Sequence, residues 1–128
     1  MGRRDTSDAR RNLAADKAKE EEQPIAGWLL VLNGNHKGDD FRLREGKNTV
    51  GSDPSCAVAL MDDHVSEKHA SITVKRTGPI SAQFRLVDLD STNGTYHNDN
   101  EEPVGMEELV DNDIVSFGRT RCRFKCAG

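Results

Sequence analysis

The chain contains 128 residues, of which 34% are hydrophobic and 31% are charged, and its formal net charge at pH 7 is −4. This length suffices for one domain and is too short for two ordinary ones. The acidic balance argues against a nucleic-acid partner, and no apolar run resembles a membrane span or a secretory signal. We therefore expect a cytoplasmic protein with one domain and with no nucleic-acid or membrane partner.

The first 26 residues differ from the rest of the chain, since they carry six basic and six acidic side chains and hardly any large apolar residue. Such a segment cannot offset the entropy lost on ordering, so we predict a disordered tail over residues 1–26. Within it, Thr6 follows two arginines in RRDTSD, a pattern that basophilic kinases prefer. Thr6 is therefore a candidate phosphorylation site, and an unmodified tail residue is the alternative.

From residue 27 onward the chain consists of short segments with a two-residue period, separated by turn-forming residues. The predicted strands, in chain order, are WLLVL at 28–32, FRLR at 41–44, NTVG at 48–51, AVAL at 57–60, ASITVK at 70–75, QFRLV at 83–87, DIVSF at 113–117 and RCRFKC at 121–126. The body shows no convincing helical spacing. Many short strands without intervening helices predict an all-β antiparallel β-sandwich over residues 27–126.

The three cysteines are Cys56, Cys122 and Cys126. Their odd number and the absence of metal-type Cys-x-x-Cys pairs predict neither a disulfide framework nor a zinc site. In RCRFKC, Cys122 and Cys126 alternate with basic residues, so we expect them to face the core beside Phe124. The sequence predicts no metal and no cofactor.

Three polar loops lie between the predicted strands: VGSDPSC at 50–56, DDHVSEKHA at 62–70 and DLDSTNGTY at 88–96. The first contains Gly51 at the end of a strand, and the second contains a Ser-x-x-His motif from Ser66 to His69. The third contains Ser-Thr-Asn-Gly-Thr from Ser91 to Thr95. This ordered set resembles the forkhead-associated (FHA) domain, a β-sandwich module that reads phosphothreonine in partner proteins.

The segments that flank these loops strengthen the resemblance, which covers about residues 27–126. GDDFRL at 38–43 resembles an early hairpin of the family, and LVDNDIVSFG at 109–118 resembles a late one. Asn112 occupies a position where the family usually has Gly. Asn also adopts left-handed backbone conformations, so the substitution is compatible with the turn.

The resemblance implies a role for each loop. Ser66 and Thr92 would contact the phosphate through their hydroxyl groups, and Asn93 would bind the peptide backbone. Short donors of this kind suit a phosphate, which offers three acceptor oxygens and nearly two charges. Three further residues would support the site without binding the ligand: Gly51, His69 and Gly94.

One position departs from the family pattern. Where the family follows its first Gly with a phosphate-binding Arg, this chain has Ser52 and then Asp53. A charge-assisted hydrogen bond contributes about 1.5 to 3 kcal/mol, so its loss weakens phosphate binding about tenfold to a hundredfold. Asp53 would also repel a phosphate. Lys68, inside the Ser-x-x-His motif, is the candidate substitute cation, although an ammonium group does not reproduce the bidentate geometry of a guanidinium.

The resemblance implies a non-enzymatic signalling or regulatory module that binds a threonine-containing segment of a partner protein. The alternative, motivated by Ser52, is an interaction or scaffold domain that works without phosphate. The chain's own tail is a further candidate ligand, because small members of the family dock a phosphorylated tail threonine, and an idle Thr6 in a solvated tail is the alternative. The linker from Thr6 to Gly27 spans about 25 Å, which is comparable to the domain diameter.

The sequence also contains residue types found in two other functional classes, an enzyme and a calcium site. Ser66, His69 and Cys56 provide the residue types of a nucleophile and a base, but the sequence lacks a Gly-x-Ser-x-Gly elbow. Acidic and amide residues also suggest a calcium loop: Asp88, Asp90, Asn93 and Asp99. Its register differs by one residue from the order that an EF-hand requires, and an enzyme or calcium site therefore ranks behind an interaction module.

Overall fold

The computed structural model describes residues 24–127, so most of the predicted tail, including Thr6, lies outside the described residues. One short 3₁₀ turn forms at Gly34–His36. The strands are β1 (Ile25–Val31), β2 (Asp40–Arg44), β3 (Gly46–Gly51), β4 (Val58–Ala59), β5 (Ala70–Arg76), β6 (Ala82–Asp88), β7 (Thr95–His97), β8 (Met106–Leu109), β9 (Ile114–Phe117) and β10 (Thr120–Cys126). Among residues 24–127, no helix has the length and apolar character needed to cross a membrane.

The strands form two five-stranded sheets. The first sheet has the order β2-β1-β10-β9-β7, and the second has the order β4-β3-β5-β6-β8. Every pairing is antiparallel except that between β3 and the two-residue β4, which run parallel with Val50 opposite Val58. The predicted all-β sandwich is therefore confirmed. The alternation of apolar residues in the sequence did not indicate that β3 and β4 would pair in parallel.

Alternating side chains from both sheets fill the space between them. In β10, Cys122 and Phe124 are fully buried whereas Arg121 is exposed, which is the period-two pattern of a half-buried strand. The ring of Phe124 packs edge-on against Phe84 of the second sheet, with ring centroids 4.6 Å apart. Burial raises the pKa of Cys122 to about 12, so this thiol behaves as an apolar core group. Cys126 is only half-buried, and all three cysteines are free.

The structure differs from the sequence prediction at the first strand and in two strands, β7 and β8, that the sequence pattern did not indicate. The first strand begins at Ile25, two residues before the expected domain start, because Ile25 pairs with Arg44. β7 and β8 carry no clear apolar alternation. The inward residues of β7 are polar, and the edge strand β8 buries only Leu109, so neither segment shows a hydrophobic signal.

A buried polar cluster fixes the end of β7 that lies next to the turn between β8 and β9. His97 Nε2 lies 2.8 Å from Asp113 Oδ2, and the same carboxylate oxygen accepts the backbone N–H of Val110 at 2.9 Å. Asn112 completes this turn with a φ of 76°, the left-handed conformation expected for a residue in a Gly position. The carboxylate of Asp113 therefore links the turn between β8 and β9 to the end of β7.

Backbone hydrogen bonds gather the polar loops at one end of the sandwich. The N–H of His69, just before β5, donates to the carbonyl oxygen of Val50 at 2.8 Å. The N–H of Leu89, just after β6, donates to the carbonyl oxygen of His69 at 2.9 Å. The loops that follow β3, precede β5 and follow β6 therefore share one rim.

Candidate functional site

The first two loops of the rim are joined through their backbones. The N–H of Ser52 donates to the carbonyl oxygen of Ser66 at 3.0 Å, and the N–H of Asp53 approaches the carbonyl oxygen of Glu67 at 3.4 Å. A side chain at Gly51 would overlap the carbonyl group of Glu67. Only glycine therefore allows the loop before β5 to approach the end of β3 this closely.

His69 lies beneath the rim and connects the second loop with the third. Its side chain is fully buried, and its ring packs edge-on against Phe117 at a centroid distance of 5.8 Å. Nδ1 accepts the backbone N–H of Ser66 at 3.0 Å, which leaves Nε2 as the protonated nitrogen that donates to the carbonyl oxygen of Gly94 at 2.9 Å. Both nitrogens of a neutral imidazole are thus engaged in holding the loops.

The upper surface of the rim presents short polar groups. The hydroxyl oxygen of Ser66 accepts the backbone N–H of Thr92 at 3.0 Å, and its own proton remains available to a further acceptor. The side-chain amide of Asn93 donates to the carbonyl oxygen of His64 at 3.0 Å, which orients its carboxamide. Thr92 and Asn93 are exposed, so their side chains are accessible from solvent.

Asp88 anchors the third loop from the end of β6. One carboxylate oxygen accepts hydrogen bonds from the hydroxyls of Ser91 at 2.6 Å and Thr95 at 2.7 Å, and the other accepts the N–H of Ser91 at 3.1 Å. The hydroxyl oxygen of Ser91 in turn accepts the N–H of Gly94 at 3.0 Å. Burial opposes ionisation of Asp88, but the hydrogen bonds from Ser91 and Thr95 outweigh it and hold its pKa below the usual value.

At the sequence level no anchoring role is predicted for Asp88, which is named only among possible calcium ligands. The available signal was the Asp-x-x-Ser spacing from Asp88 to Ser91, which allows a carboxylate to bind the backbone and hydroxyl three residues later. Asp88 therefore serves as the acceptor for the residues that shape the turn.

The candidate substitute cation has a partner in the structure. Lys68 Nζ lies 3.4 Å from Asp53 Oδ2, and both side chains are partly exposed to solvent. The other oxygen of Asp53 accepts the N–H and the hydroxyl of Ser55, each at 2.9 Å. The hydrogen bonds from Ser55, followed by that from Lys68, hold the pKa of Asp53 below its usual value. Asp53 therefore attracts the one side chain that was expected to replace the missing Arg.

A recess of about 430 Å³ opens beside Ser52 and is lined by Asn35, Ser52, Met61, Asp62, Asp63 and Val65. Asp62 has a structural role there, because its carboxylate accepts the N–H of Arg119 at 2.9 Å and the hydroxyl of Thr120 at 2.8 Å. Burial disfavours ionisation of Asp62, but these hydrogen bonds and that from the N–H of His64 lower its pKa overall. The recess therefore has a carboxylate in its wall that stays ionised at neutral pH.

The structure brings all the sequence-predicted residues of the three loops to the same end of the molecule: Gly51, Ser52, Ser66, Lys68, His69, Thr92, Asn93 and Gly94. Cys56 lies apart from the exposed groups, since its buried thiol donates to the carbonyl oxygen of Glu67 at 3.4 Å. What the rim offers is a set of hydroxyl and amide groups at fixed positions, with one cation that is already paired.

The chain matches known proteins over most of its length. Residues 30–128 match the family model described as the cytoplasmic domain of the inner membrane component of type III secretion systems, Yop-YscD. Glycogen accumulation regulator GarA of Mycobacterium tuberculosis is 33% identical over 101 residues, which cover 79% of this chain and 58% of GarA. The oxoglutarate dehydrogenase inhibitor of Corynebacterium diphtheriae is 35% identical over 99 residues, which cover 77% of this chain and 64% of that protein. The chain thus spans less than two thirds of the length of these two relatives.

Solved structures agree with this assignment. A domain from a structural and functional analysis of phosphothreonine-dependent FHA domain interactions is 30% identical, with a TM-score of 0.67. The match covers 80% of this chain and 98% of that domain. The strand order, the family model and the similar proteins together show that the chain belongs to the forkhead-associated domain family, in the group that the Yop-YscD cytoplasmic-domain model describes.

Proposed function

We propose that this protein is a phosphothreonine-binding interaction module that regulates a partner protein. The observation that carries this proposal is the hydrogen bond from the backbone N–H of Thr92 to the Ser66 hydroxyl oxygen, which joins the two hydroxyl-bearing residues on one rim where the Thr92 side chain is exposed. A phosphate group on a threonine has three acceptor oxygens, so it suits such a pair of donors. Asn93, oriented by the carbonyl of His64, is then placed to bind the backbone of the same segment.

The names of the similar proteins support a regulatory role. GarA is a regulator of glycogen accumulation, and the corynebacterial relative inhibits oxoglutarate dehydrogenase. The partner proposed for this chain is accordingly a protein that carries a threonine segment. The domain of residues 27–126 recognises this segment, and residues 1–26 form a tail that precedes the domain. Ser52 and Lys68 complete the proposed phosphate site, and Gly51, His69 and Gly94 shape it.

A non-enzymatic role follows from the contacts of Ser66 and His69. The imidazole binds the backbone N–H of Ser66 and the carbonyl oxygen of Gly94, so neither ring nitrogen takes the proton of the Ser66 hydroxyl. Burial also raises the pKa of the Cys56 thiol, which reduces its nucleophilic thiolate form at neutral pH. The geometry therefore supports recognition rather than nucleophilic catalysis.

Fluorescence anisotropy with paired threonine peptides tests the proposal. The two peptides differ only in the phosphoryl group, and we expect the phosphorylated form to bind at least about tenfold tighter. Asn93→Ala should remove this binding, whereas Asn100→Ala, an exposed control in the loop after β7, should retain it. Equal affinity for both peptides would instead establish the phosphate-independent alternative, which the absence of the phosphate-binding Arg favours.

Replacing Ser52 by Arg restores the cation that the family pattern has at this position. We expect Ser52→Arg to tighten phosphopeptide binding about tenfold, because a guanidinium forms bidentate, charge-assisted hydrogen bonds with phosphate. Plain threonine peptides should show no gain. A similar gain for both peptides would mean that Ser52 does not adjoin the phosphate.

The proposed ligands include the chain's own tail. Phosphorylation of Thr6 should shift the backbone amide resonances of Ser66, Thr92 and Asn93, provided that the modified threonine reaches the rim. The comparison requires the unmodified full chain and the Thr6→Ala chain treated with the same kinase. Unchanged resonances at the rim would show that the tail is not a ligand, and would leave recognition of a separate protein intact.

A further inference from the structure

The recess beside Ser52 is continuous with the proposed phosphate position and has an unusual charge. Its lining contains two carboxylates, Asp62 and Asp63, and no cation. Asp62 accepts three hydrogen bonds, one from the N–H of His64 in its own loop and two from Arg119 and Thr120. Asp63, in contrast, is exposed and forms no hydrogen bond or ion pair with any residue between 24 and 127, so its carboxylate is available to a ligand.

Neither of the nearby cations forms an ion pair with a carboxylate of this recess. Lys68 is paired with Asp53. Arg119 lines an adjoining recess of about 260 Å³ together with Asp63, but no ion pair joins the two side chains. A phosphate bound at Ser52 would therefore share the recess with a carboxylate that has no ion-pair partner among residues 24–127, and like charges in one recess oppose binding unless a cation lies between them.

From this arrangement we infer that the ligand supplies the missing cation. In this inference, which rests on the proposed phosphothreonine recognition, the partner segment carries an Arg or Lys near its phosphothreonine. The cationic group lies in the recess between Asp63 and the phosphate, where it compensates both negative charges. The protein thus selects phosphothreonine in a basic sequence context and discriminates against an acidic one.

The shape of the recess favours Arg over Lys. Met61 is exposed on its wall and offers apolar surface to the methylene groups of a long side chain, whose charged end then reaches the carboxylate. A guanidinium has donors on two edges, so one edge can bind Asp63 while the other binds the phosphate. An ammonium group contacts both anions as a point charge and gains less from the geometry.

Citrulline, which keeps the shape of Arg and lacks its charge, provides the test. A set of phosphothreonine peptides carries Arg or citrulline at each of the three positions on either side of the phosphothreonine, in a background of alanine. At one position or more we expect Arg to bind about tenfold tighter than citrulline, as one charge-assisted contact implies. The preference should decrease as the salt concentration rises, since the recess is open to solvent.

Variants of the protein test whether Asp63 is the residue that causes the preference for Arg over citrulline. Asp63→Asn should reduce the ratio of Arg to citrulline affinities to about threefold or less, which is the effect of removing one exposed ion pair. The matched control, Glu45→Gln, removes an exposed carboxylate from the turn before β3, at the opposite end of that strand, and should leave the ratio unchanged. Ser52→Arg should also reduce the ratio, because the receptor then provides the cation itself.

The outcomes separate this inference from the function on which it rests. Equal affinity for Arg and citrulline peptides, with phosphate still required, would overturn the inference and leave phosphothreonine recognition in place. An Arg preference that Asp63→Asn does not change would also overturn it, because the cation would then lie elsewhere. Failure of every phosphopeptide to bind better than its plain counterpart would overturn the proposed function itself.

Discussion

The interior of the sandwich and the rim at its end are stabilised by different kinds of contact. Between the sheets, apolar side chains such as Leu29, Leu86 and Phe124 are fully buried and exclude water. On the rim, hydrogen bonds among Asp88, Ser91 and the backbone hold the loops. Apolar contacts are not directional, whereas hydrogen bonds fix distances and angles. The interior therefore contributes most of the stability, whereas the hydrogen bonds of the rim fix where its donor groups point and contribute less.

His69 is the residue at which the two regions meet. Its ring packs against Phe117 in the interior, while its nitrogens bind Ser66 and Gly94 on the rim. A buried neutral imidazole with both nitrogens satisfied carries little energetic penalty for its burial. The side chain of His69 thus connects the loops of the rim to the packed core.

The largest effect should come from removing the ring beneath His69. Phe117→Ala should lower the free energy of unfolding by about 3 to 5 kcal/mol, because it deletes a fully buried aromatic side chain. Phe124→Ala is the matched control, with a similar loss expected in urea unfolding. Only the Phe117 variant should also shift the amide resonances of Ser66 and Gly94. Identical shifts in the two variants would show that the rim does not depend on its local support.

A smaller loss should follow from adding one methyl group where two rim loops meet. In Gly51→Ala the new Cβ would overlap the carbonyl group of Glu67, and relief of this overlap should cost about 1 to 3 kcal/mol of stability. A Cβ at Gly105 meets no atom within 4 Å, so Gly105→Ala should change stability by less than about 0.5 kcal/mol. Equal melting temperatures for the two variants would contradict this account of Gly51.

The stabilisation that Asp88 gives to the rim depends on pH, whereas the apolar contacts of the core do not. Asp88→Asn should destabilise the protein by about 1 to 3 kcal/mol at pH 7, because an amide cannot accept all the hydrogen bonds from Ser91 and Thr95. The folded-state pKa of Asp88 lies below its ordinary value of 3.8, so this stabilisation is complete above that value and is lost as the pH falls through the folded-state pKa.

Urea unfolding at several pH values measures this contribution. The difference between the wild type and Asp88→Asn should shrink as the pH falls below 3.8. Asp99→Asn, which removes an exposed carboxylate outside the rim, should show no such difference at any pH. A constant difference for Asp88→Asn down to low pH would mean that its ionised form does not anchor the loop.

The sequence predicts the strands of the interior more completely than it predicts the contacts of the rim. Strands such as β5 and β10 were evident, because alternating apolar residues are a direct consequence of one buried face. β7 was not, since Thr95 and His97 face inward as hydrogen-bonded polar groups. Motif order indicated the three loops correctly as neighbours. The Asp53 pairing was not predictable, because it depends on tertiary distances between loops that are separate in the sequence.

The pairing of Asp53 with Lys68 leads to the smallest expected effect. Both side chains are partly exposed, so Asp53→Asn should change the melting temperature little, and its remaining carbonyl oxygen still accepts the N–H of Ser55. Under the proposed function, the variant removes a negative charge near the phosphate and releases Lys68. Phosphopeptide affinity should therefore rise about two- to fivefold, more so at low salt.

A second substitution identifies the cation responsible. If Lys68 becomes the phosphate ligand once Asp53 is neutral, then Lys68→Ala should cancel the gain in the Asp53→Asn background and have a smaller effect in the wild type, where the ammonium is already paired. A double variant that binds as tightly as Asp53→Asn would assign the gain to reduced repulsion alone. The double-mutant cycle thus measures the coupling free energy between Asp53 and Lys68 in phosphopeptide binding.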